Sequence, residues 1–277
     1  LFISLREQLD MEVPELAPPQ FNEDQTIPEK AQVVRQWLAL DEEQNFDAYR
    51  SAIESKNILV FRSNGYAGKW QIPRESPILG FSLYFKKCPL IFVRRQDPEE
   101  RQTFTLMHEL GHLVLHKSSS IDDIADIGIE GDHALIEQEA NTFAGNLLVT
   151  DQHLDRISDA DRPTDVMQYT GWLHDARRAI GVSTDVLLHR LVEAGRLPRP
   201  LLKKFYENRP SPSPAAASRA ARLYRYREPR HIFGEPFVKT VVDALGAQRI
   251  TLNRASRYLD GLKIEDVHRL EQYSAGL

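Results

Sequence analysis

Five consecutive residues have the types and spacing that metal chemistry needs: His108-Glu109-Leu110-Gly111-His112. The pattern is H-E-x-x-H, and the apolar spacing around it is that of a helix. Residues four apart lie on one helical face, one turn up. His108 and His112 can therefore meet a single ion. Glu109 is offset toward the same side and can act as general base without occupying a ligand position. Zinc suits this set, because catalytic zinc takes three protein ligands and keeps one position open.

The third ligand must come from another element. The candidate is Glu137, in Glu137-Gln138-Glu139-Ala140-Asn141-Thr142-Phe143-Ala144. On a helix, Glu137, Ala140, Asn141 and Ala144 form one stripe. Glu137 then faces the metal, and Asn141, one turn on, can hydrogen-bond a ligating histidine. Ala140 and Ala144 are small, which lets two helices approach closely. Glu139 lies roughly opposite and is expected to be solvated. Gly111 costs about 1 kcal/mol relative to Ala inside a helix; close approach of another element would justify it, and simple tolerance explains it equally well. His116 reads as a helix-end residue, since one ion is not easily bridged across two helical turns. His133 is a weaker ligand candidate than Glu137. The longer pattern with a downstream Gly and third His is absent, because Val114-Leu115 and Lys117-Ser118 occupy that stretch.

The reaction this set supports is metal-assisted peptide hydrolysis, with Glu109 taking a proton from water and passing it to the leaving amine. Tyr84, Tyr66 and His133 are candidates for an additional oxyanion donor. An extended substrate can add as a strand beside the segment Ile78–Phe85.

These residues need a scaffold. Thr26-Ile27-Pro28-Glu29 is a capping box with an early proline, and helical spacing follows through Ala31, Val34, Trp37, Leu38 and Leu40. A second amphipathic helix runs through Phe46, Tyr49 and Ile53. Ile58-Leu59-Val60-Phe61 reads as a strand, residues 63–77 as an excursion, and 78–85 with Leu90-Ile91-Phe92-Val93 as an antiparallel hairpin turning at Lys86-Lys87-Cys88-Pro89. Asp97-Pro98-Glu99-Glu100 opens the metal helix, whose apolar face uses Phe104, Met107, Leu110, Val114 and Leu115. Residues 117–132 form an acidic connector, and a second helix runs from about 134 to 148. Helical segments then continue to about 207. The Pro/Ser/Ala run from Pro210 is the clearest linker in the chain.

The 277 residues carry a net charge of −5, with 42% hydrophobic and 27% charged residues, which suits a globular chain with a sizeable core. No apolar run reaches the roughly 18 residues that span a bilayer, and Leu1-Phe2-Ile3-Ser4-Leu5 lacks the features of a signal peptide. The single cysteine, Cys88, excludes an internal disulfide and a cysteine-based zinc site, and reads as a small residue near a strand end. These features lead us to expect a cytoplasmic protein with no membrane partner. Charge is unevenly spread. Residues 121–166 hold twelve acids against two Arg, and residues 176–231 hold thirteen Lys or Arg against four acids. The basic half could make weak contact with DNA.

The motifs resemble those of the ImmA/IrrE family of metallopeptidases. The resemblance lies in Phe104-Thr105-Leu106-Met107-His108-Glu109-Leu110-Gly111-His112-Leu113, preceded by Gly80-Phe81-Ser82. It continues in Glu137-x-x-Ala140-Asn141-x-Phe143-Ala144 with Leu147-Leu148. It is specific for about residues 58–150. It implies a compact zincin-like fold, zinc on His108, His112 and Glu137, and Glu109 as base. It also implies a protein substrate of the transcriptional-repressor class, cut in a stress or mobile-element response. Many members carry a proline after the Leu-Leu pair, where this chain has Val149-Thr150-Asp151. The flanks resemble longer members that have an N-terminal helix-turn-helix domain, which is expected to be missing here.

The expected fold class is α+β: a zincin-like domain with a small antiparallel sheet, followed by mostly helical C-terminal domains. The expected division is a lead-in at 1–57, the peptidase domain at 58–150, a helix-turn-helix-like domain at 151–207, a linker at 208–219 and a helical module at 220–277. In that third unit, residues 176–185 read as helix, tight turn and helix, capped by Ser183 or Thr184 and exposing His189 and Arg190. Tyr224 and Tyr226, among arginines 219–230, could stack bases. A second reading of the chain is thus a DNA-binding regulator on a peptidase-like fold, and a third is an antitoxin-like partner-binding protein with an idle metal site.

Overall fold

A computed structural model of the chain describes residues 1–41, 45–64, 70–73, 76–95, 97–123, 132–209 and 225–274. Helices α1 (Phe2–Gln8), α2 (Ile27–Trp37) and α3 (Phe46–Glu54) precede strands β1 (Leu59–Arg62), β2 (Ile78–Leu83) and β3 (Leu90–Val93). Helix α4 (Glu99–Gly111), which carries the H-E-x-x-H motif, continues into a π-wound turn, His112–His116, and is followed by β4 (Ser120–Asp123) and α5 (Asp132–Leu148). Then come α6 (Asp151–Asp155), α7 (Tyr169–Trp172), α8 (His174–Ile180), α9 (Thr184–Glu193) and α10 (Arg199–Asn208). The chain ends in α11 (Glu228–Gly246), α12 (Leu252–Tyr258) and α13 (Ile264–Ser274). The fold is mixed α+β, as expected. No helix among the described residues is long and apolar enough to cross a membrane.

The capping box forms as its sequence dictates: Thr26 Oγ1 accepts from the Glu29 N–H, and the Glu29 carboxylate accepts from the Thr26 N–H. The β2–β3 hairpin is antiparallel, with Phe81 opposite Phe92. The sheet as a whole is mixed, which corrects the expectation of an antiparallel one. Its order is β1-β3-β2-β4, and β1 runs parallel to β3. The excursion after β1 brings β2 back in the opposite direction, so the hairpin return necessarily runs along β1. The acidic connector also holds a strand that its polar sequence did not suggest. β4 pairs antiparallel with β2, with Ile121 opposite Phe81, and becomes the outer edge.

Both faces of the sheet are covered, because β1 and β3 are apolar without alternation. Val60, Ile91 and Val93 turn to one core, shared with α2, α3, α4, α5, α9 and α10. Leu59, Phe61 and Phe92 turn to a second core, built with α1 and the C-terminal helices through Phe233, Phe237 and Val241. Phe61 sits edge-on to Trp70, Phe233 and Phe237, with centroids 5.3–5.9 Å apart. Cys88 is partly covered beside this core, and burial pushes its thiol up to about 11, far from a reactive thiolate.

One buried ion pair ties the two layers together. Arg50 donates to Glu54 Oε1 at 3.1 Å, to the carbonyls of Arg230 and His231 at 3.1 and 3.0 Å, and to those of Val60 and Ile232. Just beyond, α11 kinks at Gly234 (φ 74°, ψ 169°), where a Cβ would lie 1.8 Å from Glu54 Oε1. Only glycine fits that backbone region and that space.

Burial pushes the Glu54 carboxyl up to about 7, against the pull of the Arg50 guanidinium, with the Glu235 backbone N–H also favouring the anion. A raised acid pKa means that the folded chain keeps a proton the unfolded chain has lost. Its contribution to stability is full below the ordinary value of 4.5 and declines as pH rises toward about 7. Glu54→Gln, which stays neutral, should therefore gain stability relative to the parent as pH rises through this window. Urea midpoints of the two proteins across the window test this; a constant difference would refute it.

Candidate metal centre

Helix α4 is buried almost all round. From Thr105 to Val114 every residue is buried, because β2 and β3 cover one side of α4 and α5 covers another. At its start, Glu99 and Glu100 lie in the first turn, where the helix dipole favours acids. Gly80 of β2 crosses α4 so closely that a Cβ would lie 2.5 Å from Thr105 Cγ2 and 3.6 Å from Glu109 Cγ. On the other side, a Cβ on Gly111 would lie 3.1 Å from Phe143 Cδ1 and 3.5 Å from Ala140 Cα. Gly111 is therefore a point of close helix approach, one of its two readings, with Ala140 fully buried against it and Ala144 fully buried one turn on.

This packing brings the predicted ligands together. The Nε2 atoms of His108 and His112 are 3.0 Å apart. Glu137 Oε2 lies 3.1 Å from His108 Nε2, and Oε1 lies 3.4 Å from His112 Nε2. These three side chains each offer one ligand atom to a common point and could hold a metal ion. His108 and His112 are 2% and 1% exposed, and the Glu137 side chain 12%. Burial alone would raise the Glu137 carboxyl; hydrogen bonds and charge from His108 and His112 outweigh it and hold the group well below the usual carboxylate range. Glu109 lies in the same wall, fully buried and packed near Gly80. Asn141 stands where the stripe put it, with Oδ1 3.1 Å from His108 Nδ1.

Two residues do more than their sequence reading allowed. His116 ends the π-wound turn, as expected, yet its Nδ1 lies 3.2 Å from His112 Nδ1. Its Nε2 lies 3.1 Å from Glu139 Oε2. Glu139 is half-exposed, at 48% of its side chain, but it is paired rather than simply solvated. Burial pushes the His116 imidazole below its usual pKa, against the pull of Glu139. The signal lies in the repeated four-residue spacing of His108, His112 and His116.

The remaining candidates are scattered. Tyr84 packs against the core, and its N–H donates to Ser119 Oγ at 2.9 Å. His133 is exposed in the first turn of α5, and Tyr66 lies outside the described residues. The helix, turn and helix at 174–193 form as read, with Gly181 at φ 75° and Ser183 capping α9. His189 is exposed, but Arg190 is not, which corrects that part of the reading. Its Nε donates to the Val149 carbonyl at 3.0 Å, at the end of α5, and its Nη atoms reach Asp151 and Glu193. Tyr226 is packed against Tyr273 and Arg227, while Tyr224 and most of the expected linker lie outside the described residues.

Residues 71–192 match the family model of the IrrE N-terminal-like domain, Peptidase_M78. The chain carries a domain of the ImmA/IrrE family. The match runs from before β2 into the last turn of α9, so it includes both helices that carry the candidate ligands; β1 and the C-terminal helices lie outside it. No curated protein matches the chain. An ImmA/IrrE domain supports a metallopeptidase type of function, and the cluster of two histidines and one glutamate could hold the metal ion such a function needs.

If the ligands are His108, His112 and Glu137, Glu137→Gln should lose about one to two orders of magnitude or more in metal affinity, while Glu139→Gln retains stoichiometric metal. Metal analysis of the dialysed variants decides this, and the opposite pattern would reassign the third ligand to Glu139.

Proposed function

We propose that this chain is a zinc-dependent endopeptidase that cuts a specific regulatory protein, a helix-turn-helix transcriptional repressor, in a stress or mobile-element response. The observation that carries the reading is the convergence of His108, His112 and Glu137. Their donor atoms are 3.0–3.4 Å apart. Ligands at bonds of about 2.0 Å around a tetrahedral zinc are separated by about 3.3 Å, so the donor set fits this ion in type and spacing. When bound there, zinc supplies a Lewis acid that polarises a carbonyl and acidifies water.

The rest falls to the chain's own residues. Glu109 takes the proton from the attacking water and delivers it to the leaving amine. Its burial in the wall beside Gly80 keeps competing bulk water away from that transfer. His108 and His112 are held by their outer nitrogens, which fixes the rings before substrate arrives. An extended substrate segment runs along the sheet. The sequence suggested a place beside the Ile78–Phe85 hairpin; its strands are flanked by β1 and β4, and among the described residues we place the segment along the β4 edge. Zinc, the cytoplasmic setting and the repressor substrate belong to this proposal together.

Glu109→Gln should keep the zinc and the fold and lose cleavage by at least about a hundredfold. Unimpaired cleavage by a zinc-loaded variant would sink the assignment of Glu109 as base. Selectivity is expected to come from docking, because exposed, mobile linkers adopt the extended form a cleft requires. The zinc-loaded chain should therefore cut a cognate helix-turn-helix repressor in its interdomain linker and digest casein poorly. Efficient casein digestion with an intact repressor would favour a general protease.

A further inference from the structure

We propose that His116 and Glu139 form a positioning relay that locks His112 in the tautomer and ring orientation able to bind the metal; this rests on the metal site proposed above. Nε2 of His112 is the nitrogen that faces His108 and Glu137. A neutral imidazole carries one proton, so a ring that gives its Nε2 lone pair to a cation carries that proton on Nδ1. Nδ1 of His112 lies 3.2 Å from Nδ1 of His116. His112 then donates and His116 accepts, which puts the proton of His116 on Nε2. That atom lies 3.1 Å from Glu139 Oε2, and the carboxylate accepts. Every donor finds an acceptor, in one direction, and the chain ends on a negative charge. The reversed order would leave a proton on His112 Nε2, pointed at the other ligands, and no metal could bind there.

The backbone is shaped for this contact. The turn His112–His116 is π-wound, and the carbonyl of His112 accepts from the N–H groups of both Lys117 and Ser118. The chain leaves through Lys117 in the left-handed region, at φ 50°, which a lysine rarely adopts. Such π-wound turns concentrate at functional sites. The His112 and His116 rings are 5.2 Å apart between centroids and tilted by 54°, which aims the two Nδ1 atoms at each other. The two ligating histidines therefore have different supports: a neutral amide, Asn141, behind His108, and a carboxylate-backed imidazole behind His112.

The relay predicts a pattern that packing alone does not. His116→Leu fills the space but cannot accept a hydrogen bond, and should weaken zinc about tenfold or more. His116→Gln, whose amide oxygen can accept from His112, should restore most of the affinity. Glu139→Ala should weaken zinc more mildly, and should add little when combined with His116→Leu, because the relay is already broken. Zinc affinity is read by competition with a chromophoric chelator on the full chain, and the visible spectrum of the cobalt-loaded form reports the coordination of His112. The proposal is overturned if His116→Leu binds zinc as tightly as the parent with an unchanged cobalt spectrum, or if the Leu and Gln variants are weakened alike. A parent chain that takes up no zinc would overturn the metal site and the relay with it.

Discussion

Two helices can share a metal ion only where their backbones come close enough for one short carboxylate to reach between two imidazoles. In this protein α4 and α5 come that close at Gly111 against Ala140 and Phe143, where even a methyl group on residue 111 would be tight. The spacing of the site follows from this contact. Glu137 lies three residues before Ala140 and Asn141 one after it, so a helix seated at Ala140 presents both to α4. The contact is in turn held from outside. Arg35 of α2 and Arg190 of α9 donate to the carbonyls of Leu147 and Val149, which a helix end otherwise leaves unmet. Beyond α4, the sheet supplies the second wall at Gly80, where a side chain would collide with Thr105.

That wall is stable only because the sheet is covered behind as well as in front. Phe61 and Phe92 would be exposed if the chain stopped after α10; α11 to α13 and α1 bury them. Arg50 joins the layers by collecting carbonyls from residues 60, 230, 231 and 232, segments far apart in sequence. A fully paired buried arginine of this kind contributes specificity of arrangement more than stability. Its consequence is that the C-terminal helices, which lie outside the family match, are part of the support of the site rather than an appendage to it.

The parts of this arrangement that were legible in the sequence are those where local pattern and tertiary demand agree. His108, His112, Glu137 and Asn141 follow from helical spacing and from small residues on the facing stripe. The capping box at Thr26 and the β2–β3 hairpin are equally local. The unbroken apolar runs of β1 and β3 announced burial on both faces, although not which segment would cover the second. What was missed depends on long-range partners. β4 is a polar edge strand held by backbone bonds to β2, so it carries no apolar signature. Arg190 looks like a surface residue until the end of α5 requires a donor. The parallel pairing of β1 with β3 is set by the path of the chain after β1, which no residue type encodes. His116 reads from the sequence as a helix-end residue, because its contact with Glu139 depends on how α5 packs against the turn.

The balance of polar groups in the centre explains why the site is built on rigid helices and not on loops. His108, His112 and Glu109 are buried, and burying a polar group costs free energy unless it finds a partner. On the side away from the cluster each ring has one: Asn141 for His108 and His116 for His112. On the inner side, two ring nitrogens and a carboxylate face one another at 3.0–3.4 Å. Protons on the imidazoles can serve the carboxylate, but two protonated ring nitrogens 3.0 Å apart repel each other. A divalent cation satisfies all three at once, and it also balances the negative charge of Glu137. A flexible segment would escape this mutual repulsion by moving apart, whereas α4 and α5, clamped by the sheet, α2 and α9, cannot. The scaffold thus holds the donors in an arrangement whose electrostatics favour a positive ion, and its packing is what converts the sequence motif into a site.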